Sequence, residues 1–414
     1  MMAAIATGTS RLKNYSTSAD CAATLSCLEN LGVKIERTED EVVIHGAGPS
    51  GLRAPSADLD CGNSGTTMRL LSGILAGQTF VSRLTGDESL RSRPMQRIIE
   101  PLKMMGADIT SHDGRAPLRI QGSRRLQAID YELLSASAQV KSCILLAGLN
   151  AKGKTSVVEH IRTRDHTERM LPWFGAQVVS GKPQDETENT HMTAVIGPAS
   201  LTAGDVSVPG DISSAAYFIA IAALLKGSSL QIQDVGLNPT RTEFMKVIAA
   251  MNFTEITQTR EAANEASGNI RVLGINDLPL MPESDSALLI DGLDTAQMID
   301  ELPLLAVAGS QLAHGIEIRN AKELRVKESD RIAATVEGLR ALGCEVEEFD
   351  DGLRVSGPAK LRGAKINSHG DHRIAMSFTV AALIAEGETE ISGADCVGVS
   401  FPEFFDLLES VIER

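Results

Sequence analysis

Apolar positions in this chain follow one arrangement repeatedly. A run at helical spacing ends in an apolar residue plus glycine, and two short alternating runs then flank a polar turn. In CLENLGVKIERTEDEVVIHG, Gly32 is placed to end a helix, while Val33, Ile35, Val42 and Ile44 alternate as strand residues do. LKMMGADITSHDGRAPLRIQG repeats the plan around Gly106, LPWFGAQVVSG with HMTAVIG around Gly175, and LRALGCEVEEFDDGLRVSG around Gly343. KVIAAMNFTEI with NIRVLG is a degenerate copy that puts Asn252 in the cap position. A spacing of about 70 to 90 residues is too long for a solenoid and suits a small βαβαββ module.

Three modules in each half put the crossover between Gly204 and Asp211. The prediction is an α/β (α+β) fold of two similar lobes, residues 1–208 and 209–414. The length of 414 residues, with 43% hydrophobic and 22% charged positions, agrees with two globular domains. Ile212 to Leu225, the longest apolar run, is too short to span a bilayer and reads as a buried helix. The start, MMAAIATGTSRLKNYS, lacks the basic n-region of a signal peptide, and no membrane association is expected.

Charge narrows the partners. A net charge of -15 and a pI near 5.1 repel a phosphate backbone, so nucleic acid is excluded as a partner and any bound anion needs local cations. The six cysteines are scattered without a C-x-x-C pair, which fits reduced thiols in a cytoplasmic protein. The histidines show no metal-ligand spacing. His166 and His372 read as hydrogen-bonded structural residues, and no metal is expected.

Candidate chemistry lies at the helix starts. In CGNSGTTMRLLSGILAG, Ser64 or Thr66 is placed to cap a helix with Met68, Leu71, Ile74 and Leu75 inward, which puts Arg69 in the first turn. A cation there opposes the helix dipole and calls for a compensating negative charge. RVKESDRIAATVEGLRALG repeats this with Ser329 as cap, Lys327 and Arg331 at the start, and Ile332, Val336 and Leu339 inward. So does SHGDHRIAMSFTVAALIAEG, with Asp371 as cap, Arg373 in the first turn, and Ile374, Phe378 and Ala381 inward. A helix start beside a guanidinium is a ready anion site. Taken singly, KESDR reads equally as a solvated helix face, GDHR as a capping loop, and Arg91, Arg93 and Arg164 as surface arginines.

In order along the chain, GNSGTTMR, LRSRP, SAQVKS, TRDHTE, PGDISSA, VKESDR, GDHRIAMS and SFPEFF resemble the 5-enolpyruvylshikimate-3-phosphate synthase family from about Ala3 to the C-terminus. The SAQ and TRDHTE versions resemble the bacterial branch associated with glyphosate tolerance. The resemblance implies two lobes of three βαβαββ units each, an inside-out α/β barrel arrangement, with helix amino ends toward an interlobe cleft. It implies that the 5-hydroxyl of shikimate 3-phosphate adds to the central carbon of phosphoenolpyruvate before phosphate leaves, without organic cofactor or metal, in an expected monomer. Carried over by motif, Asn63, Gly65, Arg93, Arg331 and Arg373 surround phosphoenolpyruvate. Ser137, Gln139, Arg164 and Lys327 hold shikimate 3-phosphate, and Asp300 bonds its hydroxyls. Asp300 and Glu328 are assigned the proton transfers.

Two departures from the family pattern stand out. A Gly-Asp-Lys-Ser-x-Ser-x-Arg segment precedes, in the family, the helix that here reads MAAIATG, and its lysine contacts phosphoenolpyruvate. The expectation on that ground is a nearly inactive chain. Val399 stands where some members carry lysine. The alternatives are an enolpyruvyl transferase acting on UDP-N-acetylglucosamine, whose reactive cysteine loop is not evident here, and a non-catalytic anion-binding remnant.

Overall fold

The computed structural model describes residues 1–38, 41–182, 190–249, 253–274 and 286–412. Asn252, the degenerate cap, lies outside the described residues. The chain divides into two compact units, Met1–Val208 with Ala262–Glu265, and Pro209–Glu261 with Ala266–Arg414. Each has its own hydrophobic core. Among the described residues, no helix is long and apolar enough to cross a membrane.

The molecule is a mixed α/β protein, and four of its described sheets repeat one topology. In the first unit, Leu59–Asp60 pairs in parallel with Val81–Thr85, which pairs antiparallel with Arg115–Gln121, the second strand of a hairpin with Asp108–His112. Asp130–Glu132, Gly153–Glu159, His191–Gly197 and Val178–Gly181 repeat that order. The sheet built on Ala6–Lys13 repeats it too, with Leu201–Thr202 as its parallel partner. In the second unit, Leu288–Ile290, Ile316–Ile318, Gly352–Val355 and Val346–Phe349 do the same. Register follows the alternation read from the sequence: Ile35 faces Ile44, Ile109 faces Ile120, and Val346 faces Val355.

The repeat glycines share one geometry. Gly32, Gly106, Gly175 and Gly343 take φ of 85°, 99°, 87° and 93°, the left-handed region that favours glycine. In each, the glycine N–H bonds the carbonyl three residues back, and the next N–H reaches five back. Thus Gly32 bonds Glu29 and Val33 bonds Leu28, while Gly343 bonds Arg340 and Cys344 bonds Leu339. This is the Schellman ending, and the buried pair that accompanies it is Leu28 with Val33 and Leu339 with Cys344. It turns the chain sharply from helix into hairpin.

Helices that carry candidate site residues pack closely. The Ile212–Leu224 helix is buried over almost its whole length. A methyl on Gly73 of the Gly65–Ala76 helix would lie 2.2 Å from the Cys143 carbonyl oxygen of the Ala138–Gly148 helix. In the second unit, a methyl on Gly338 of the Arg331–Ala341 helix would lie 2.2 Å from the Phe378 ring on the His372–Ile384 helix. Glycine lets each pair approach and so brings their amino ends together.

Candidate functional site

In the first unit the Gly65 helix is capped by Ser64, whose hydroxyl accepts the Thr67 N–H at 3.2 Å. Thr66, the other candidate, instead accepts from Gln139 Nε2 at 2.7 Å. Arg69 is the fifth helical residue, one place beyond the first turn where the sequence reading put it. Helical side chains lean toward the amino end, however, and the Arg69 guanidinium reaches Gly65. A methyl on Gly65 would stand 2.8 Å from Arg69 Nη1 and 3.3 Å from Arg93 Nη1. Arg69 Nη1 donates to Gln139 Oε1 at 2.5 Å.

Arg93 is buried where the short Glu88–Ser92 helix ends, while Arg91 is exposed. Arg93 Nη2 donates to Asn63 Oδ1 at 2.6 Å, and Asn63 Nδ2 donates to Asp87 Oδ2 at 2.7 Å. Ser137 caps the Ala138 helix, accepting the Val140 N–H at 3.5 Å. Arg164 is half-buried in the loop between the Gly153–Glu159 strand and the His166–Trp173 helix. The first unit therefore joins Asn63, Gly65 and Arg93 to Gln139 through Arg69.

In the second unit four helix starts supply one charged cluster. Arg331, 1% exposed, opens its helix and meets three carboxylates. Its Nε lies 2.8 Å from Asp371 Oδ2, Nη1 lies 3.1 Å from Asp300 Oδ1, and Nη2 lies 2.5 Å from Glu328 Oε2. Burial works against its charge, yet Asp371, Glu328 and Asp300 together raise its pKa. Burial and Glu328 work against the charge of Asp371, but the charge and hydrogen bonds of Arg331, with His372 nearby, together hold its carboxyl below the usual range.

The cap read as Ser329 is Asp330, whose carboxylate accepts the Ala333 N–H at 3.0 Å. Ser329 instead donates to Asp371 Oδ2 at 3.0 Å. A hydroxyl facing a buried carboxylate is better used there than on a half-exposed helix end that a neighbouring aspartate already caps. Asp371 does cap the His372 helix, accepting the Arg373 N–H at 2.9 Å.

Lys327 and Arg373 are held more loosely. Lys327 Nζ is 3.8 Å from Asp300 Oδ1, and burial lowers its pKa with Asp300 opposing. Arg373 Nη1 is 3.7 Å from Glu301 Oε1. These two cations have more donor capacity to offer an incoming anion than Arg331, which three carboxylates surround.

Several residues escaped the motif reading. Asp211 caps the Ile212 helix, accepting the Ser214 N–H at 2.9 Å. Burial resists its charge, but Arg241 and Arg373 pull its pKa down to about 2. Ser213 donates to Glu301 and accepts from Arg241. Tyr217, buried on the same helix, has its phenol pushed up to about 12 by burial, with Arg373 opposing. The signal was present in PGDISSA, whose aspartate precedes a predominantly apolar helix. Its partners lie far along the chain, and no local pattern names them.

Comparison with known proteins adds an independent line. A family model described as EPSP synthase (3-phosphoshikimate 1-carboxyvinyltransferase) matches residues 1–408. The 3-phosphoshikimate 1-carboxyvinyltransferase of Koribacter versatilis (strain Ellin345) is 54% identical over 415 residues, covering 100% of this chain and 93% of that protein. The enzyme of the same description from Bacillus subtilis (strain 168) is 44% identical over 421 residues, covering 100% and 94%. A solved EPSP synthase from Acinetobacter baumannii superposes with a TM-score of 0.82 at 40% identity, covering 99% and 92%. The enolpyruvyl transferase NikO from Streptomyces tendae gives a TM-score of 0.75 at 18% identity, covering 99% and 90%, a likeness that speaks for the fold alone.

Proposed function

The chain belongs to the EPSP synthase family and carries the 3-phosphoshikimate 1-carboxyvinyltransferase activity of the shikimate pathway; from that premise we propose which side chains hold the substrates and move the protons. Nothing in the fold or the comparisons supports the near-inactivity expected above. Phosphoenolpyruvate is assigned to Asn63, Gly65, Arg93, Arg331 and Arg373. Shikimate 3-phosphate is assigned to Ser137, Gln139, Arg164 and Lys327, with Asp300 on its hydroxyls. The same reading makes each unit an inside-out α/β barrel of three βαβαββ modules.

Enolpyruvyl transfer proceeds by addition and elimination. In the addition, the 5-hydroxyl oxygen bonds the central carbon of phosphoenolpyruvate, loses its proton, and the methylene carbon gains one to become a methyl. In the elimination, the carbon–oxygen bond to phosphate breaks and the methyl returns a proton. Two proton-transfer groups therefore exchange roles between the steps. Asp300 and Glu328 are assigned that work.

The observation that carries this assignment is their meeting on one guanidinium, Arg331, at 3.1 and 2.5 Å. A shared fixed cation holds both carboxylates in place, while Lys327 stands 3.8 Å from Asp300 as a second nearby positive charge. Asp300→Asn and Glu328→Gln test it through phosphate release under saturating substrates. Each is expected to lower kcat by roughly 10²- to 10⁴-fold while the variant stays folded. Turnover close to the parent in both variants would remove Asp300 and Glu328 from the proton transfers.

A further inference from the structure

The first unit contains a charged cluster that the chemistry above does not use. Lys141, 0% exposed, is the fourth residue of the Ala138–Gly148 helix. Its ammonium lies 2.7 Å from Glu159 Oε2 and 2.7 Å from Glu168 Oε1, and both carboxylates are buried. Glu159 ends the Gly153–Glu159 strand, and Glu168 is the third residue of the His166–Trp173 helix. One cation thus ties together a helix start, a strand end and a second helix start.

The loop between that strand and the second helix carries Arg164, and it is fixed at each neighbouring residue. Glu159 Oε1 accepts the Thr163 backbone N–H at 3.1 Å and also the Thr163 hydroxyl. Asp165 is held by Arg162 at 3.0 Å and by Arg169 at 2.8 Å. The helix that bears Lys141 also bears Gln139, with Ser137 as its cap. A hydroxyl pair between Ser142 and Thr167 at 2.7 Å runs beside the ion pairs.

We infer that Lys141 is a positioning residue for the shikimate 3-phosphate site: through Glu159 and Glu168 it fixes the Arg164 loop relative to Ser137 and Gln139. The inference rests on the assignment of those three residues to shikimate 3-phosphate. An isolated buried ammonium or carboxylate is strongly disfavoured, so each member is held by the others and the set has one low-energy arrangement. Two carboxylates around one ammonium leave one negative charge in excess. Burial pushes the Glu168 carboxyl up against the pull of Lys141, which lets a proton offset that excess. Stability alone does not call for such a cluster, because well-packed apolar side chains of similar volume serve as well or better.

The test uses the full-length enzyme and both Michaelis constants. Glu159→Gln keeps an oxygen for Thr163 and replaces the one facing Lys141 with an amide. Lys141→Met/Glu159→Gln removes one charge of each sign and is expected to stay folded, with a melting temperature near that of the parent. Both variants should raise KM for shikimate 3-phosphate by about ten-fold or more, with KM for phosphoenolpyruvate within about two-fold. An unchanged KM for shikimate 3-phosphate in either folded variant, or equal rises for both substrates, overturns the inference. If the pair does not fold, Glu159→Gln alone decides. Arg164→Ala separates the two layers. If it leaves KM for shikimate 3-phosphate unchanged, the assignment of the site fails and takes the inference with it. If Arg164→Ala weakens that substrate while the cluster variants do not, the positioning role alone fails.

Discussion

Arg331 donates through Nε to Asp371 Oδ2 at 2.8 Å, with the two side chains 2% and 0% exposed. Forty positions separate them in sequence, and the contact joins the amino ends of two helices that pack through Gly338 and Phe378. With the surrounding Asp300 and Glu328, it sets where the Arg331 guanidinium can point.

Asp371→Asn should be costly out of proportion to its size. The change leaves Arg331 buried with one fewer counter-charge, and breaking a buried pair from one side costs about 3–5 kcal/mol. Asp300 and Glu328 remain as partners, so the lower end is expected. Denaturant unfolding should show the second unit melting early, and an unchanged midpoint would contradict the energetic role given to this pair.

Gly65→Ala introduces a methyl 2.8 Å from Arg69 Nη1 and 3.3 Å from Arg93 Nη1. The Arg69 guanidinium must shift, because a Cβ does not sit this close to another atom, and the Arg93 guanidinium is crowded. KM for phosphoenolpyruvate should rise, and the inhibitor glyphosate should weaken more than the substrate does. If both bind as in the parent, Gly65 does not line the phosphoenolpyruvate site.

Acid sensitivity should appear well above the carboxylate range. Burial lowers the His372 pKa from 6.5 to about 4, with Arg373 and Arg331 adding to the effect. The unfolded chain therefore takes up a proton below about pH 6.5 that the native state refuses until about pH 4. This stabilisation is fully present above pH 6.5 and is lost as pH falls through that window, by roughly 3 kcal/mol at its lower end. Asp211, depressed to about 2 from 3.8, loses its contribution only below that range. Melting temperature measured from pH 7 to 4 should fall in the parent and fall less in His372→Gln. Parallel curves would assign the loss to other groups.

Gly343 offers a test of the repeated helix ending free of packing effects. Its φ is 93°, and a methyl there would meet nothing within 4 Å. Gly343→Ala should cost about 1–2 kcal/mol from backbone conformation alone, and Gly343→Asn less, since asparagine tolerates the left-handed region. Thermal unfolding of the two variants compares them directly, and equal stability would remove the backbone argument.

The architecture was legible where its cause is local. A left-handed glycine after an apolar helix end, followed by alternating residues, fixes a Schellman turn and a hairpin within about twenty positions, and all four full copies behave alike. The buried faces Met68, Leu71, Ile74 and Leu75, and likewise Ile332, Val336 and Leu339, were readable from spacing alone. Lys141 could have been found the same way, because it lies within a mostly apolar helix, QVKSCILLAG, buried from Val140 to Gly148, where a cation has no exposed face to occupy.

Only the tertiary structure decided the electrostatics. Ser329 read as a cap because sequence shows the hydroxyl but not the buried Asp371 facing it across 42 positions. Arg69 read as opposing a helix dipole, whereas folding gives it the amide of Gln139, 70 positions away. Hydrogen bonds within a turn depend on neighbouring residues and leave a pattern in the chain. The partner of a buried charge is set by which helices pack together, and that is fixed only when the cores of the two units form.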